Sequence, residues 1–373
     1  MNQRIRRLVL IILAALVVSG CGGPKPHPIV VGAVEDAAKF GDSAAKMELA
    51  RQAGFKAIVF SSVWAPPLVE PAPDELARLR SAIAAASALG IRPIVAVYSF
   101  SGNTPLTDAA RSQFASYAAS IVRDIPQVRD ISVGNEPNLN LFWLPQFAAD
   151  GSDAAASAYF ALLAKSYDAI KAVAPLAQVI GGSLAPRGSD KPNAARQTHS
   201  PTQFIQDLGA AYKASGRTRP VMDLFSIHPY PESSAIPPDF KHPNSASIGV
   251  ADYGKLVKLL TDAFGTSPPI VYGEYGVETT IPASEQSAYT GTEPASTKAV
   301  SVATQDADYV QAIRLATCQP LVRMLLFFHV SDESDLSRLQ TGVYYADDNP
   351  KPDLADVAVA AKAAESGQLK CSQ

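Results

Sequence analysis

Short apolar runs rich in Val, Ile and Phe recur along the chain, near residues 29–34, 57–63, 93–98, 130–134, 178–184, 222–228, 270–274 and 324–330. Within them apolar and polar residues do not alternate, which is the pattern of strands covered on both faces. Between the runs, apolar residues return every three or four positions. Leu76, Leu79, Ile83 and Ala86 do so, as do Ala110, Phe114, Tyr117 and Ile121. Further along come Tyr159, Leu163, Ser166, Tyr167 and Ile170, and then Tyr253, Leu256, Val257, Leu260 and Phe264. That spacing lines one face of a helix. A repeated strand–helix alternation of this kind predicts an α/β fold, a single (β/α)8 TIM barrel.

The connections have a polarity. Helix-to-strand turns are short, and Gly54 and Gly90 sit where a helix C-cap needs a left-handed residue. Strand-to-helix loops are long, at 137–151, 185–201, 229–249 and 275–301. Barrel active sites are built from strand-to-helix loops, so this asymmetry marks one end as functional.

The N-terminus changes the cellular picture. Arg4, Arg6 and Arg7 precede an apolar run over 8–18, too short to span a membrane, and Val18-Ser19-Gly20-Cys21 follows. This resembles a bacterial lipoprotein cleavage box. The resemblance implies a signal peptide over 1–20, lipidation of Cys21, a Gly/Pro tether over 21–28 and one domain over 29–373. The expected location is the cell envelope, with membrane attachment through the N-terminal lipid; plain secretion is the alternative. Export permits a disulfide between Cys318 and Cys371, and two free buried thiols are the other possibility. The formal net charge is −3 and no basic run follows the leader, which argues against nucleic-acid binding.

Candidate chemistry gathers at the strand exits. Asn135-Glu136-Pro137 ends the fourth strand, and Glu274 ends the seventh. A carboxyl group leaving a strand is rigidly held and meets solvent at the rim. Two of them suit an acid/base and a nucleophile. Asn135 can donate to a sugar hydroxyl. Trp64 and Trp143, the only tryptophans, fall at or beyond strands two and four and are expected on the same rim, where aromatic faces stack on sugars. Glu35 and Asp36 leave strand one, as candidates to grip hydroxyls or as a helix N-terminal pair. Tyr98 and His329 stand at strands three and eight, with Asp332 or Glu333 behind His329. Glu278 lies further into its loop than Glu274. Only His228 and His329 are placed as metal ligands, and no strand end carries a Schiff-base lysine, so neither metal nor cofactor is expected.

The Asn135-Glu136-Pro137 motif on strand four and Glu274 on strand seven resemble the glycoside hydrolase clan A superfamily, cellulase-like (β/α)8 enzymes. Ser226-Ile227-His228-Pro229-Tyr230 at strand six is similar to the clan, where a His or Tyr there touches nucleophile or substrate. Gly342-Val343-Tyr344-Tyr345, with Asp347 and Pro350-Lys351-Pro352, resembles its closing segment. Strand two lacks the arginine, and strand eight the tryptophan, that many members carry. The resemblance implies a monomeric, retaining O-glycoside hydrolase acting on an oligo- or polysaccharide by double displacement. Glu274 would be the ionised nucleophile, and Glu136 the acid/base with its pKa raised by the nearby anion. A glycan-binding surface lipoprotein without turnover is the rival from another class.

Overall fold

The computed structural model describes residues 25–294, 297–352 and 354–371. The leader and Cys21 lie outside the described residues. Eight parallel strands close a barrel in chain order: β1 (Val30–Val34), β2 (Ala57–Val63), β3 (Arg92–Tyr98), β4 (Asp130–Val133), β5 (Gln178–Leu184), β6 (Leu224–Ile227), β7 (Ile270–Tyr275) and β8 (Val322–Phe328). Helices follow each strand: α1 (Ser43–Gln52), α2 (Pro73–Ala88), α3 (Asp108–Asp124), α4 (Ala155–Val173), α5 (Pro201–Ala214), α6 (Tyr253–Phe264), α7 (Val302–Thr317) and α8 (Leu354–Glu365). The expected α/β barrel is therefore present. The glycine caps behave as their chemistry requires, with φ of 76° at Gly54 and 69° at Gly90.

Strand parity sorts the side chains into two layers. Val34, Val59, Ile94, Ile180, Val271 and Leu326 fill the barrel interior. The alternate positions, such as Val31, Ala33, Ile58, Phe60, Ile131, Val133, Leu325 and Phe327, pack outward against the helices. β-Bulges break this parity in β5 between Gly182 and Leu184 and in β7 between Tyr272 and Tyr275, and a third register shift falls between Ile270 and Val271, where β8 carries the extra residue Arg323.

The segment before β1 and the segment after α8 pack together at the far end of the barrel. His27 N donates to Thr317 O and Ile29 N to Ala364 O. A Cys318–Cys371 disulfide ties the segment after α8 to the end of α7, settling the choice left open by the sequence. At the opposite rim, Lys351 and Asp332 form a buried ion pair at 3.0 Å within the segment after β8, and their further hydrogen bonds tie it to the loop after β7. Lys351 Nζ also donates to Thr279 Oγ1 at 2.9 Å, and Asp332 Oδ2 accepts from Tyr289 OH at 2.7 Å.

Candidate active site

Glu136 stands just beyond β4 with φ of 39°, a left-handed conformation that costs a non-glycine residue on the order of 1 kcal/mol. Its backbone N donates to Ser183 O at 2.8 Å, and Ser183, at the β5 bulge, is itself left-handed with φ of 47°. Just beyond, Asn138 is wholly buried. Its Nδ2 donates to His199 O and Ala185 O, and its Oδ1 accepts from Ala185 N. The loop after β4 is thus pinned to the loop after β5, and the Glu136 side chain inherits that fixed base.

Glu274 reaches the mouth through the β7 bulge. Tyr272 pairs with Leu325 and Tyr275 with Phe327, so Gly273 and Glu274 together oppose Leu326 alone. Without the extra residue, parity from Tyr272 would send Glu274 out toward the helices. A bulge re-aims a side chain in this way. Gly273 serves the same site, because a Cβ there would collide with Ser226 Oγ and press on the His228 ring.

His228 joins the two carboxylates. Its Nδ1 lies 3.2 Å from Glu136 Oε1 and 3.6 Å from Glu274 Oε2. The sum of those distances bounds the separation of the two oxygens. Tyr230 OH donates to Glu274 Oε2 at 3.0 Å, while Glu274 Oε1 takes no hydrogen bond among the described residues.

Burial pushes the Glu274 carboxyl up to about 7, with the Glu136 charge adding to the rise while His228 and the Tyr230 hydroxyl work against it. Burial alone would lower the His228 pKa, but the attraction of Glu274 and Glu136 more than offsets it and the net shift is upward. The Tyr230 hydroxyl is raised well above its ordinary value by burial and both carboxylates, so it remains a donor.

Two clefts flank this pair. One, of about 650 Å3, is lined by Glu136, Arg187, Arg196, Tyr230, Glu232 and Glu278 from the β4 to β7 loops and neighbouring residues. The other, of about 450 Å3, lies across the mouth at β1 and β8 and is lined by Asp36, Lys46, His329, Glu333, Asp335 and Arg338 among others. Asp36 borders this second cleft and is close enough to Glu274 and Tyr98 to raise the pKa of both. His329 follows a cis Phe328–His329 peptide, and burial brings its pKa down to about 4, so it is neutral near pH 7. Asn135 lines the interior space beneath the pair with His228 and Glu274. Tyr98 packs edge-on against Phe100 and Phe142.

Several expected contacts do not form. Trp64 is fully buried, donating from Nε1 to Leu68 O at 2.8 Å and packing edge-on against Phe114 of α3. Parity explains it: Ile58, Phe60, Ser62 and Trp64 share the outward face of β2, so the ring joins the helix layer instead of the mouth. Trp143 is likewise buried, edge-on to Tyr159. Neither indole offers a face to a sugar. Glu35 has the outward parity of Val31 and Ala33; it accepts the backbone N–H groups of Ala37, Val330 and Ser331 and acts as a staple, with a pKa raised to about 7 by burial. Asp332 belongs to its ion pair with Lys351.

Arg187, Arg196 and Glu232 were not singled out in the sequence. They sit in loops, where no periodicity marks a side chain as cleft-facing, and the only available signal was loop length. Among the described residues, no group of three or more His, Cys, Asp or Glu is placed to hold a metal ion.

No model of a known protein family matches the chain, and no curated protein matches it in sequence. Its fold is similar to solved structures. One is a family 39 glycoside hydrolase from the gut symbiont Bacteroides cellulosilyticus WH2, with 19% identity, TM-score 0.64, and coverage of 90% of this chain and 63% of that one. Another is the exo-beta-1,4-mannosidase Op5Man5 from Opitutaceae bacterium strain TAV5, with 17% identity, TM-score 0.57, and coverage of 92% and 61%. A third is a monomeric beta-xylosidase from Caulobacter crescentus CB15, with 16% identity, TM-score 0.57, and coverage of 90% and 68%. The chain therefore spans about three fifths of the first two. At these identities the likeness establishes the barrel and leaves the chemistry to the site.

Proposed function

We propose that this chain is an exported, retaining O-glycoside hydrolase acting on a carbohydrate, with Glu274 as nucleophile and Glu136 as acid/base. The observation that carries the reading is the meeting of two carboxylates, from β4 and β7, at one His228 nitrogen. The bound this sets on their separation accommodates the roughly 5–5.5 Å of double displacement. The glycoside hydrolases among the solved structures of like fold support the same reading.

In the first step a Glu274 oxygen attacks the anomeric carbon. The bond to the leaving oxygen breaks, and the Glu136 proton passes to that oxygen. In the second step Glu136 takes a proton from water, the water oxygen attacks the anomeric carbon, and the bond to Glu274 breaks. Tyr230 and His228 hold Glu274 Oε2 in place and stabilise its anion, leaving Oε1 free to attack. The disulfide supports export, because such bonds persist in oxidising compartments. Attachment through a lipid on Cys21 and a monomeric state complete the proposal, and both rest on the sequence.

The test is hydrolysis of a panel of aryl glycosides and polysaccharides by the protein and its Glu136→Gln and Glu274→Gln variants, with the anomeric form of the first product read by NMR. Retained configuration and loss of turnover in both variants are expected. Unchanged turnover in both variants sinks the assignment. Glycan binding without turnover in the unmodified protein turns it toward a surface receptor.

A further inference from the structure

The 650 Å3 cleft is bordered by Glu136 and not by Glu274. If Glu136 is the acid, as proposed above, the group it protonates departs on this side, so the cleft holds the leaving portion of the substrate. The wall there lacks a tryptophan or phenylalanine; apolar residues such as Leu139, Pro186 and Leu339 share it with polar ones, and it carries two arginines.

Each acid in this wall has its negative charge met or diminished. Glu136 lies 3.2 Å from His228 Nδ1, and Glu232 lies 2.7 Å from His242 Nε2. Glu278 is raised to about 7 by burial and by neighbouring carboxylates, and its Oε2 is buried without a hydrogen-bond partner. The arginines are different. Arg187 donates from Nη1 to Tyr230 O at 3.3 Å and to Pro231 O at 3.1 Å, and no carboxylate among the described residues comes within ion-pair distance. Its side chain remains accessible from the cleft, yet enough protein surrounds it that desolvation draws its pKa down, against the longer-range attraction of Glu232 and Glu136. Arg196, exposed on the same wall, also has no ion pair among the described residues. Elsewhere Arg51, Arg78, Arg92, Arg123, Arg217, Arg219 and Arg338 are paired with carboxylates, whereas Arg80, Arg111 and Arg323 donate, among the described residues, only to backbone carbonyls and none of the three borders this cleft.

We propose that the cleft beside Glu136 is a subsite for an anionic group on the leaving portion of the substrate, a sugar carboxylate or a sulfate ester, received by Arg187 and Arg196. The two carbonyl contacts fix the Arg187 guanidinium to the segment that carries Tyr230, and hence at a set place relative to the pair of glutamates. They leave its Nε and Nη2 donors without a protein partner, the two-pronged edge that matches a planar carboxylate or two oxygens of a sulfate. A neutral sugar could take single hydrogen bonds here but would leave both guanidinium groups without a carboxylate in direct contact.

Calorimetric binding to the Glu274→Ala protein tests this, with a uronate-containing oligosaccharide, a sulfated oligosaccharide and their neutral counterpart as probes, at low and moderate salt. At least one acidic probe is expected to bind roughly tenfold or more tighter than the neutral one, with the advantage shrinking as salt rises. Arg187→Ala should remove most of that advantage, Arg187→Lys should restore only part of it, and Arg196→Ala should remove a smaller share. Equal binding of acidic and neutral probes, binding of none of them, or an advantage that survives both alanine variants overturns the subsite. The hydrolase reading fails separately. Acidic binding without turnover on any substrate leaves the subsite standing alone, and turnover of neutral glycosides with no acidic preference leaves the catalytic pair standing alone.

Discussion

Asp332 and Glu274 are both largely buried carboxylates on the same rim of the barrel, and their surroundings differ in kind. Both oxygens of Asp332 are taken: Oδ1 accepts from Lys351 Nζ at 3.0 Å and Gly342 N at 2.7 Å, and Oδ2 accepts from Tyr289 OH at 2.7 Å. Burial raises its pKa against the pull of Lys351, and burial lowers that of Lys351, so desolvation outweighs attraction on both sides of the pair. Glu274 has its partners on Oε2 and none on Oε1 among the described residues. A carboxylate that holds loops together needs every lone pair occupied. A carboxylate proposed to attack carbon needs a lone pair vacant, and burial raises the pKa of Glu274 to about 7.

The comparison breaks first at the charged oxygens themselves. Glu274→Gln is expected to cut kcat/KM on the order of 10^4-fold or more while leaving the thermal midpoint unchanged or raised, because a neutral amide relieves a buried charge. Aryl glycoside kinetics and differential scanning calorimetry check both halves. Lys351→Met should do the opposite. Removing one partner of a buried pair costs about 3–5 kcal/mol of stability, read by urea unfolding, with the folded fraction still active.

A smaller effect isolates the Glu274 partner. Tyr230→Phe removes a hydrogen bond to a charged group, so kcat should fall about 10–100-fold. The Tyr230 bond favours the ionised carboxyl. Its loss should therefore move the acid limb of the pH–rate profile upward, where a purely structural role would leave it in place. In the unmodified protein that limb is expected near pH 7, with activity rising as Glu274 loses its proton.

The mildest effect concerns stability. Glu35, Glu274 and Glu278 hold their protons to about 7 in the folded chain, against an ordinary value of 4.5. Asp153 and Asp308, raised to about 6, behave likewise. Between those limits the folded state binds more protons than the unfolded one, so stability should fall as pH rises from about 5 to 7. His329, lowered to about 4, opposes this over part of the range, while His228 and His242, both raised by neighbouring carboxylates against burial, add to it. A thermal midpoint at pH 5 no higher than at pH 7.5 would refute the assignment of these shifts.

Much of the site was legible because strand exits are legible. A run such as Ile270-Val271-Tyr272-Gly273-Glu274 announces both its strand and the carboxyl at its end. Trp64 was misplaced because a strand exit locates a residue on the rim without saying which face it takes. Arg187 went unnoticed because its significance lies in what it lacks, a carboxylate within reach, and such a relation between distant residues leaves no local trace.

Periodicity and turn chemistry are local physics, and they carried the barrel and the placement of Glu136 just beyond β4 and Glu274 near the end of β7. Direction and company are not local. A bulge opposite Leu326 turns Glu274 inward, outward parity drives Trp64 beneath α3, and folding brings His228 Nδ1 within reach of both carboxylates. Each depends on the register between strands or on contacts between residues far apart in the chain, and these exist only once the barrel has closed.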